Sequence, residues 1–111
     1  LRCAASHWCS ADAPKLAVVD THAGAGLYSL RSGLSQRLGE HCDGIDKLAS
    51  AAVAAEPGSP IWANPDLRLY LEAVRVRRGQ DRPLRQYPGS PVLSWRVRDS
   101  LGVAGPTWCY E

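Results

Sequence analysis

A chain of 111 residues, 45% of them hydrophobic, is long enough for one modest domain and too apolar for wholesale disorder. Its formal charge of +2 does not by itself indicate nucleic-acid binding. The sequence has no apolar run of about 18 residues, so we predict no membrane helix. Because the four cysteines are spread along the chain and no signal peptide is apparent, we expect free thiols in a reducing cytoplasm: Cys3, Cys9, Cys42 and Cys109.

The first residues predict a helix, and metal-binding side chains are scattered along the chain. Apolar residues from Leu1 to Trp8 follow helical spacing, and the break at residues 10–14 ends that helix. Some histidines and cysteines suggest zinc, but neither a C-x-x-C nor an H-x-x-x-H spacing occurs, so we expect no metal site. These residues are His7, Cys9, His22, His41 and Cys42.

The stretch after that break predicts a ligand-binding strand and loop. Leu16–Val19 is a short apolar run typical of a strand buried on both faces in a parallel sheet. Asp20 would end the strand, and Gly24 and Gly26 let the next residues turn tightly and pass close to a ligand. Ligands of such sheets bind beyond the carboxyl ends of the strands, so a nucleoside-bearing cofactor fits; a plain glycine turn is the alternative. The dinucleotide fingerprint's third glycine is missing, which favours S-adenosylmethionine over NAD.

The middle of the chain predicts two helices after Leu27–Leu30, which we interpret as a short helical or irregular turn. The first helix spans about Glu40–Ala55 and stops at the Pro/Gly-rich residues 57–60. The second starts at Asn64, a capping residue followed by proline, and ends before Gly79. Five arginines lie near the C-terminal end of this helix and in the residues after it. They form either a solvated surface or a phosphate-binding patch. They are Arg75, Arg77, Arg78, Arg82 and Arg85.

The last part predicts a crossover helix and a second parallel strand. Ser90 would cap the helix with Pro91 in its first position, and the helix would continue to about Arg98. A loop over residues 99–106 then leads into a strand at Thr107–Tyr110. The Ser90 hydroxyl would lie beside the unpaired amides of a helix start, where it is an ordinary cap, a ligand contact or both.

Four short words occur in a fixed order: DTHAGAGLY at residues 20–28, GE at 39–40, GI at 44–45 and YPGSP at 87–91. Together they resemble the RlmJ methyltransferases, the bacterial family that methylates N6 of one adenine in large-subunit (23S) ribosomal RNA. The resemblance runs from about Asp12 to Glu111. It implies an α/β fold, a partial Rossmann-like S-adenosylmethionine-dependent methyltransferase domain with a helical insert between motif I and the second strand. We expect the first helix, strand and cofactor loop in residues 1–36, the insert in 37–86, and the crossover helix and second strand in 87–111.

The same resemblance implies S-adenosylmethionine as cofactor and 23S rRNA as partner, and it favours RNA as the ligand of the five arginines. Asp20 would anchor the loop by accepting backbone N–H bonds, with strand-end capping as the alternative. His22 and Ser90 match residues that contact the methyl donor; His22 could instead only stabilise the turn. Glu111 would take the ribose hydroxyls at the end of the second strand. With Gly24 and Gly26, these residues form the expected cofactor-binding set.

The family's catalytic motif is Asp-Pro-Pro-Tyr, and no Pro-Pro occurs in this sequence. The sequence also starts with Leu and contains no Met. We therefore interpret the chain as an inactive fragment with no catalytic residue of its own, from an enzyme that is a monomer at full length. Two strands alone would leave a sheet edge exposed, so we expect marginal stability or self-association. The alternatives are a non-catalytic nucleotide- or RNA-binding domain and a small structural protein with an incidental glycine turn.

Overall fold

The structure, a computed structural model, describes residues 15–33, 37 and 39–110. The predicted helix at residues 1–8, with His7, Cys3 and Cys9, lies outside them. The described chain is a mixed α/β structure. Its strands are β1 (Val18–Asp20), β2 (Leu27–Ser29), β3 (Gln86–Pro88) and β4 (Thr107–Cys109), and its helices are α1 (Glu40–Asp43), α2 (Ile45–Ala54), α3 (Pro60–Ala63), α4 (Pro65–Val74) and α5 (Ser90–Ser100).

The chain divides into two compact units, of which the first has its described residues in 15–26 and 88–110 and the second spans 27–87. In the first unit, β1 pairs with β4 in parallel, with Val18 opposite Thr107 and Asp20 opposite Cys109. A parallel pair requires a long crossover connection, and α5 contacts both strands. The predicted second parallel strand and the helix before it are therefore confirmed.

The prediction that the first strand is buried on both faces is wrong for the described residues. Leu16 is buried, but Val19 is 58% exposed and its register partner Trp108 is 48% exposed. Successive side chains of a strand point to opposite faces, so the Val19 side of the pair is the open one. A run of apolar residues therefore does not establish that both faces are covered.

The buried side chain of Arg98, in the last turn of α5, links this helix to the segments that lead into β1 and β4. This side chain is 6% exposed, and Nη1 donates to the carbonyl oxygens of Leu16, Gly105 and Pro106 at 3.1, 2.6 and 3.0 Å. Nη2 donates to Thr107 Oγ1 at 2.5 Å. Gly105 has a φ of 149°, and a Cβ there would lie 2.0 Å from the carbonyl oxygen of Leu16. The two chain segments thus meet backbone to backbone around one guanidinium.

In the second unit, the helix predicted over Glu40–Ala55 is divided at Gly44. Gly44 has φ and ψ both at −105°, outside the helical region, so α1 ends before it and α2 starts after it. Residue 44 lacks a Cβ and can adopt this conformation at low cost. Ala49 and Ala52 of α2 are buried.

The helix predicted to start at Asn64 is confirmed as α4. The Asn64 side chain accepts hydrogen bonds from the amides of Asp66 and Leu67, each at 3.0 Å, and thereby satisfies two of the amides that a helix start leaves unpaired. Leu71 and Val74 are buried on its apolar face. The single-turn helix α3 before it was not predicted, because its first residue is a proline that we took as part of a stop signal.

The interpretation of Leu27–Leu30 as a turn is wrong, because residues 27–29 form β2, which pairs with β3. The amide of Leu30 donates to the carbonyl of Arg85 at 2.8 Å, and Arg31 Nη2 donates to the carbonyl of Leu84 at 3.2 Å. Pairing with a segment more than fifty residues later decides this conformation. Local sequence patterns contain no information on such a partner.

Two observations bear on the composition-based expectations. Cys42 and Cys109 are free and exposed, which confirms the thiol prediction for those two. Within the described ranges, no helix combines the length and the apolar character needed to cross a bilayer.

Candidate cofactor-binding loop and arginine-lined grooves

Asp20 closes β1 and organises the turn that follows. Its Oδ1 accepts a hydrogen bond from the amide of His22 at 3.2 Å, and its carbonyl accepts from the amide of Tyr110 at 2.9 Å. The other carboxylate oxygen, Oδ2, is buried and has no hydrogen-bond partner among the described residues. A buried carboxylate oxygen needs a donor, so this atom fits a group that brings one.

The loop itself is exposed at its tip and tied down at one point. Thr21 Oγ1 and His22 Nδ1 share a hydrogen bond of 2.8 Å, and both residues are exposed. Ala23 is buried, and its amide donates to the carbonyl of Tyr110 at 2.9 Å. Gly24 is exposed. The end of β4 thus fixes the base of the loop while its imidazole and its glycine face solvent.

A backbone hydrogen bond joins the end of this loop to the start of α5. The amide of Gly89 donates to the carbonyl of Gly26 at 2.8 Å. A Cβ on Gly26 would lie 3.4 Å from Val92 Cγ2, so the glycine lets the helix approach closely. Ser90 is exposed and is the first residue of α5. The structure therefore brings Ser90 beside the loop that contains Asp20, His22 and Gly24.

The prediction that Ser90 is the N-cap is wrong by one position. Gly89 occupies the N-cap with φ −68° and ψ 170°, and no side chain caps the helix. Pro91, which has no amide hydrogen, accordingly lies one position farther into the first turn. The Ser90 hydroxyl is not used as a helix cap. Glu111, the last residue of the predicted set, directly follows Tyr110 and lies outside the described residues.

The five predicted arginines are all exposed, but they line two grooves of the second unit rather than one patch. Arg75, Arg82 and Arg85 line a groove of about 460 Å³ together with Asp81. Arg77 and Arg78 line another, of about 380 Å³. Arg75 has a left-handed backbone with φ 67° at the end of α4, which turns the chain at this point.

Sequence reasoning did not find two residues of the smaller groove, Trp62 and Arg68. The Trp62 indole is fixed because its Nε1 donates to the carbonyl of Ala52 at 2.8 Å. Sequence reasoning also did not find a pair of tyrosines, Tyr70 and Tyr87, whose hydroxyl oxygens lie 3.0 Å apart. Burial and this hydrogen bond raise the pKa of Tyr70 well above its ordinary value. Tyr87 belongs to YPGSP, which was the one available signal.

Comparison with known proteins gives a consistent result. A family model described as "Ribosomal RNA large subunit methyltransferase D, RlmJ" matches residues 13–102. The chain is 40% identical over 92 residues to ribosomal RNA large subunit methyltransferase J of Escherichia coli strain K12, covering 75% of this chain and 27% of that protein. It is 30% identical over 76 residues to the Haemophilus influenzae protein of the same name, covering 68% and 24%. The chain thus spans about a quarter of the length of these curated relatives.

Proposed function

Because the chain belongs to the RlmJ family of ribosomal RNA large subunit methyltransferases, we propose that it is the cofactor-binding portion of an enzyme that transfers a methyl group from S-adenosylmethionine to N6 of an adenine in 23S rRNA. The curated relatives carry the name of that enzyme class and are about four times as long as the chain's matched part. The transfer itself is assigned to the intact enzyme in the cytoplasm, and these 111 residues alone are inactive.

The proposed architecture is a Rossmann-like domain interrupted by a helical insert. The parallel pair of β1 and β4, with α5 against both strands, supports the first part. The compact unit at residues 27–87 supports the second, since it lies in the chain between the glycine loop and α5. The division into residues 1–36, 37–86 and 87–111 is proposed from the resemblance to the family, whereas the compact units change at residues 26/27 and 87/88.

The loop from Asp20 to Gly26 would hold the adenosyl part of the donor. Asp20 Oδ2 would accept a hydrogen bond from it, because that buried oxygen has no described partner. Gly24 and Gly26 would allow close backbone approach, and the exposed His22 would contact the donor from the tip of the turn. The donor supplies an electrophilic methyl group when bound.

Ser90 and Glu111 would complete this site. The amides of Ser90 and Val92 in the first turn of α5 lack partners within the helix, and the Ser90 hydroxyl lies beside them, so this end offers hydrogen-bond donors. Glu111 follows directly on β4 and would take the ribose hydroxyls. The observation that carries the proposal is the 2.8 Å bond from the Gly89 amide to the Gly26 carbonyl, since it holds both halves of the site together.

The arginines would bind rRNA phosphates. Arg75, Arg82 and Arg85 share one groove and Arg77 and Arg78 the other, so two separate stretches of backbone would be held. Each phosphate contact to a single strand contributes about 0.7 to the slope of log affinity against log salt. Replacing Arg82 and Arg85 by glutamine should weaken rRNA binding and make this slope shallower by about 1.4.

Deletion of the gene provides the direct test. The 23S rRNA of the deletion strain is digested to nucleosides and analysed by mass spectrometry. We expect the loss of one N6-methyladenosine, restored in full by the wild-type gene of the intact enzyme and only in part by its Asp20→Asn variant. Unchanged methylation together with measurable S-adenosylmethionine binding would favour a non-catalytic nucleotide-binding domain instead.

A further inference from the structure

A histidine, a cysteine and an aspartate converge at the corner between α1 and α2. Nε2 of His41 lies 3.7 Å from Sγ of Cys42 and 3.7 Å from Oδ2 of Asp46. One ligand atom from each of the three side chains lies within 4.8 Å of the other two. Imidazole, thiolate and carboxylate are the side-chain groups that bind Zn²⁺ in proteins.

The spacing fits a metal ion after small side-chain movements, because a four-coordinate ion lies out of the plane of three of its ligands and the three atoms must close in by a few tenths of an ångström. Three atoms with these separations lie on a circle of radius roughly 2.1 to 2.4 Å, close to the metal–ligand distances of about 2.0 to 2.3 Å in zinc sites. The 3.7 Å contact between His41 and Asp46 is longer than a good N–H···O hydrogen bond, whereas the 3.7 Å contact between His41 and Cys42 Sγ is a hydrogen bond to sulfur. An ion between the three atoms would be in contact with all of them.

The break at Gly44 makes this convergence possible. In one continuous helix, His41 and Asp46 would be about 140° apart around the axis and could not meet. Because α1 ends at Asp43 and α2 starts at Ile45, the two side chains reach the same place. Sequence analysis named His41 and Cys42 as candidate ligands, but the predicted single helix placed Asp46 on another face and so left it out.

Burial favours a prepared site with an open entrance. The His41 side chain is only 7% exposed and that of Asp46 is 22% exposed, so both are held by their surroundings, whereas Cys42 is exposed. Arg31 Nη2 approaches the other oxygen of Asp46, Oδ1, at 3.7 Å, which leaves Oδ2 directed to His41. Asp43 pairs with Lys47 at 3.0 Å.

We propose that His41 Nε2, Cys42 Sγ and Asp46 Oδ2 form a Zn²⁺ site, with water as the fourth ligand, that fastens α1 to α2. The site is independent of the proposed methyl-donor site, which uses residues of the first unit. On binding, the Cys42 thiol releases its proton to solvent and the thiolate takes its place in the coordination shell.

The test is titration of the reduced full chain with Zn²⁺ by calorimetry and with Co²⁺ by absorption spectroscopy. We expect one ion per chain and a sulfur-to-cobalt charge-transfer band. Cys42→Ser should abolish the band, and Cys42→Ser and Asp46→Asn should each weaken Zn²⁺ affinity by roughly tenfold or more. Both positions are at least partly accessible, so the variants should fold, which far-UV circular dichroism checks.

Matched controls come from the same chain. Cys109→Ser removes another exposed free thiol, and Asp43→Asn removes an exposed acid of α1, and neither should change binding. The double variant His7→Asn/Cys9→Ser removes the N-terminal candidate ligands and should also bind normally. No saturable binding, an unchanged band in Cys42→Ser, or loss of binding in any of these controls would overturn the assignment.

Discussion

The amide of Gly89 donates to the carbonyl of Gly26 at 2.8 Å. The contact joins the last residue of the glycine loop to the N-cap of α5, although 62 residues separate the two in the sequence. This hydrogen bond joins the two most distinctive motifs of the sequence, DTHAGAG and YPGSP. The loop and the helix start are therefore parts of one structural feature of the first unit.

Gly26→Val should disturb this feature. Its Cβ would already contact Val92 Cγ2 at 3.4 Å, and the γ-methyl groups would have to displace the start of α5. We expect a loss of unfolding free energy of about 1–3 kcal/mol, typical of overpacking, and weaker S-adenosylmethionine binding. Gly58→Val is the control, because nothing lies within 4 Å of a Cβ there. Equal effects of the two substitutions in urea denaturation would rule out the proposed crowding.

Arg98→Leu should be among the most destabilising substitutions in the first unit. It removes a charged donor from three backbone carbonyls and leaves them buried with fewer partners. We expect a loss of about 2–4 kcal/mol in unfolding free energy, measured by urea denaturation. Arg68→Leu, at an exposed position of α4, should change it by less than about 0.5 kcal/mol. A similarly small change in unfolding free energy for Arg98→Leu would contradict the stabilising role of the Arg98 hydrogen bonds.

Gly105→Ala tests the close contact between the loop before β4 and the lead into β1. The added Cβ would lie 2.0 Å from the carbonyl oxygen of Leu16, which is backbone and cannot swing aside. We expect a loss of about 1–3 kcal/mol in unfolding free energy. Gly58→Ala meets no atom and should be neutral or slightly stabilising. If Gly105→Ala had the same unfolding temperature as Gly58→Ala, the two segments would not be in the close contact described.

Tyr70 should make stability fall at high pH. Because burial and the hydrogen bond with Tyr87 raise its pKa in the folded chain, the folded state retains this proton where the unfolded state loses it. The contribution is complete below pH of about 10, the ordinary tyrosine value, and is lost as pH rises above it. Tyr70→Phe should flatten the decline of unfolding free energy between neutral and alkaline pH, whereas Tyr28→Phe, at an exposed position, should not. Identical pH profiles of wild type and Tyr70→Phe would contradict this.

Features with local causes could be predicted from the sequence. Asn64 and Pro65 specify the start of α4 through their own side chains, and the apolar run at residues 107–109 forms the expected strand. Features with distant causes could not. Residues 27–29 become a strand only because β3 is available to pair, and a single glycine at position 44 is often tolerated within a helix.

The candidate site shows the same division. The acid at the strand end and the two glycines follow from local pattern, and the structure places Asp20 with its side chain on the amide of His22. The shift of Ser90 from the cap to the first helical position follows from the backbone of Gly89, which no pattern specified. The separation of the arginines into two grooves depends on how the chain packs after α4 and could not be read from their spacing.

The most direct measurement is the affinity of the chain for S-adenosylmethionine, by calorimetry, in the wild type and in Asp20→Asn and Ser90→Ala. We expect saturable binding by the wild type, weaker by roughly tenfold in Asp20→Asn because a buried acceptor oxygen is replaced, and weaker by several-fold in Ser90→Ala. Thr107→Ser, at the start of β4 and opposite Val18, should bind as the wild type does. No binding by the folded wild type, or equal affinity in all four proteins, would contradict a methyl-donor site between the glycine loop and the start of α5.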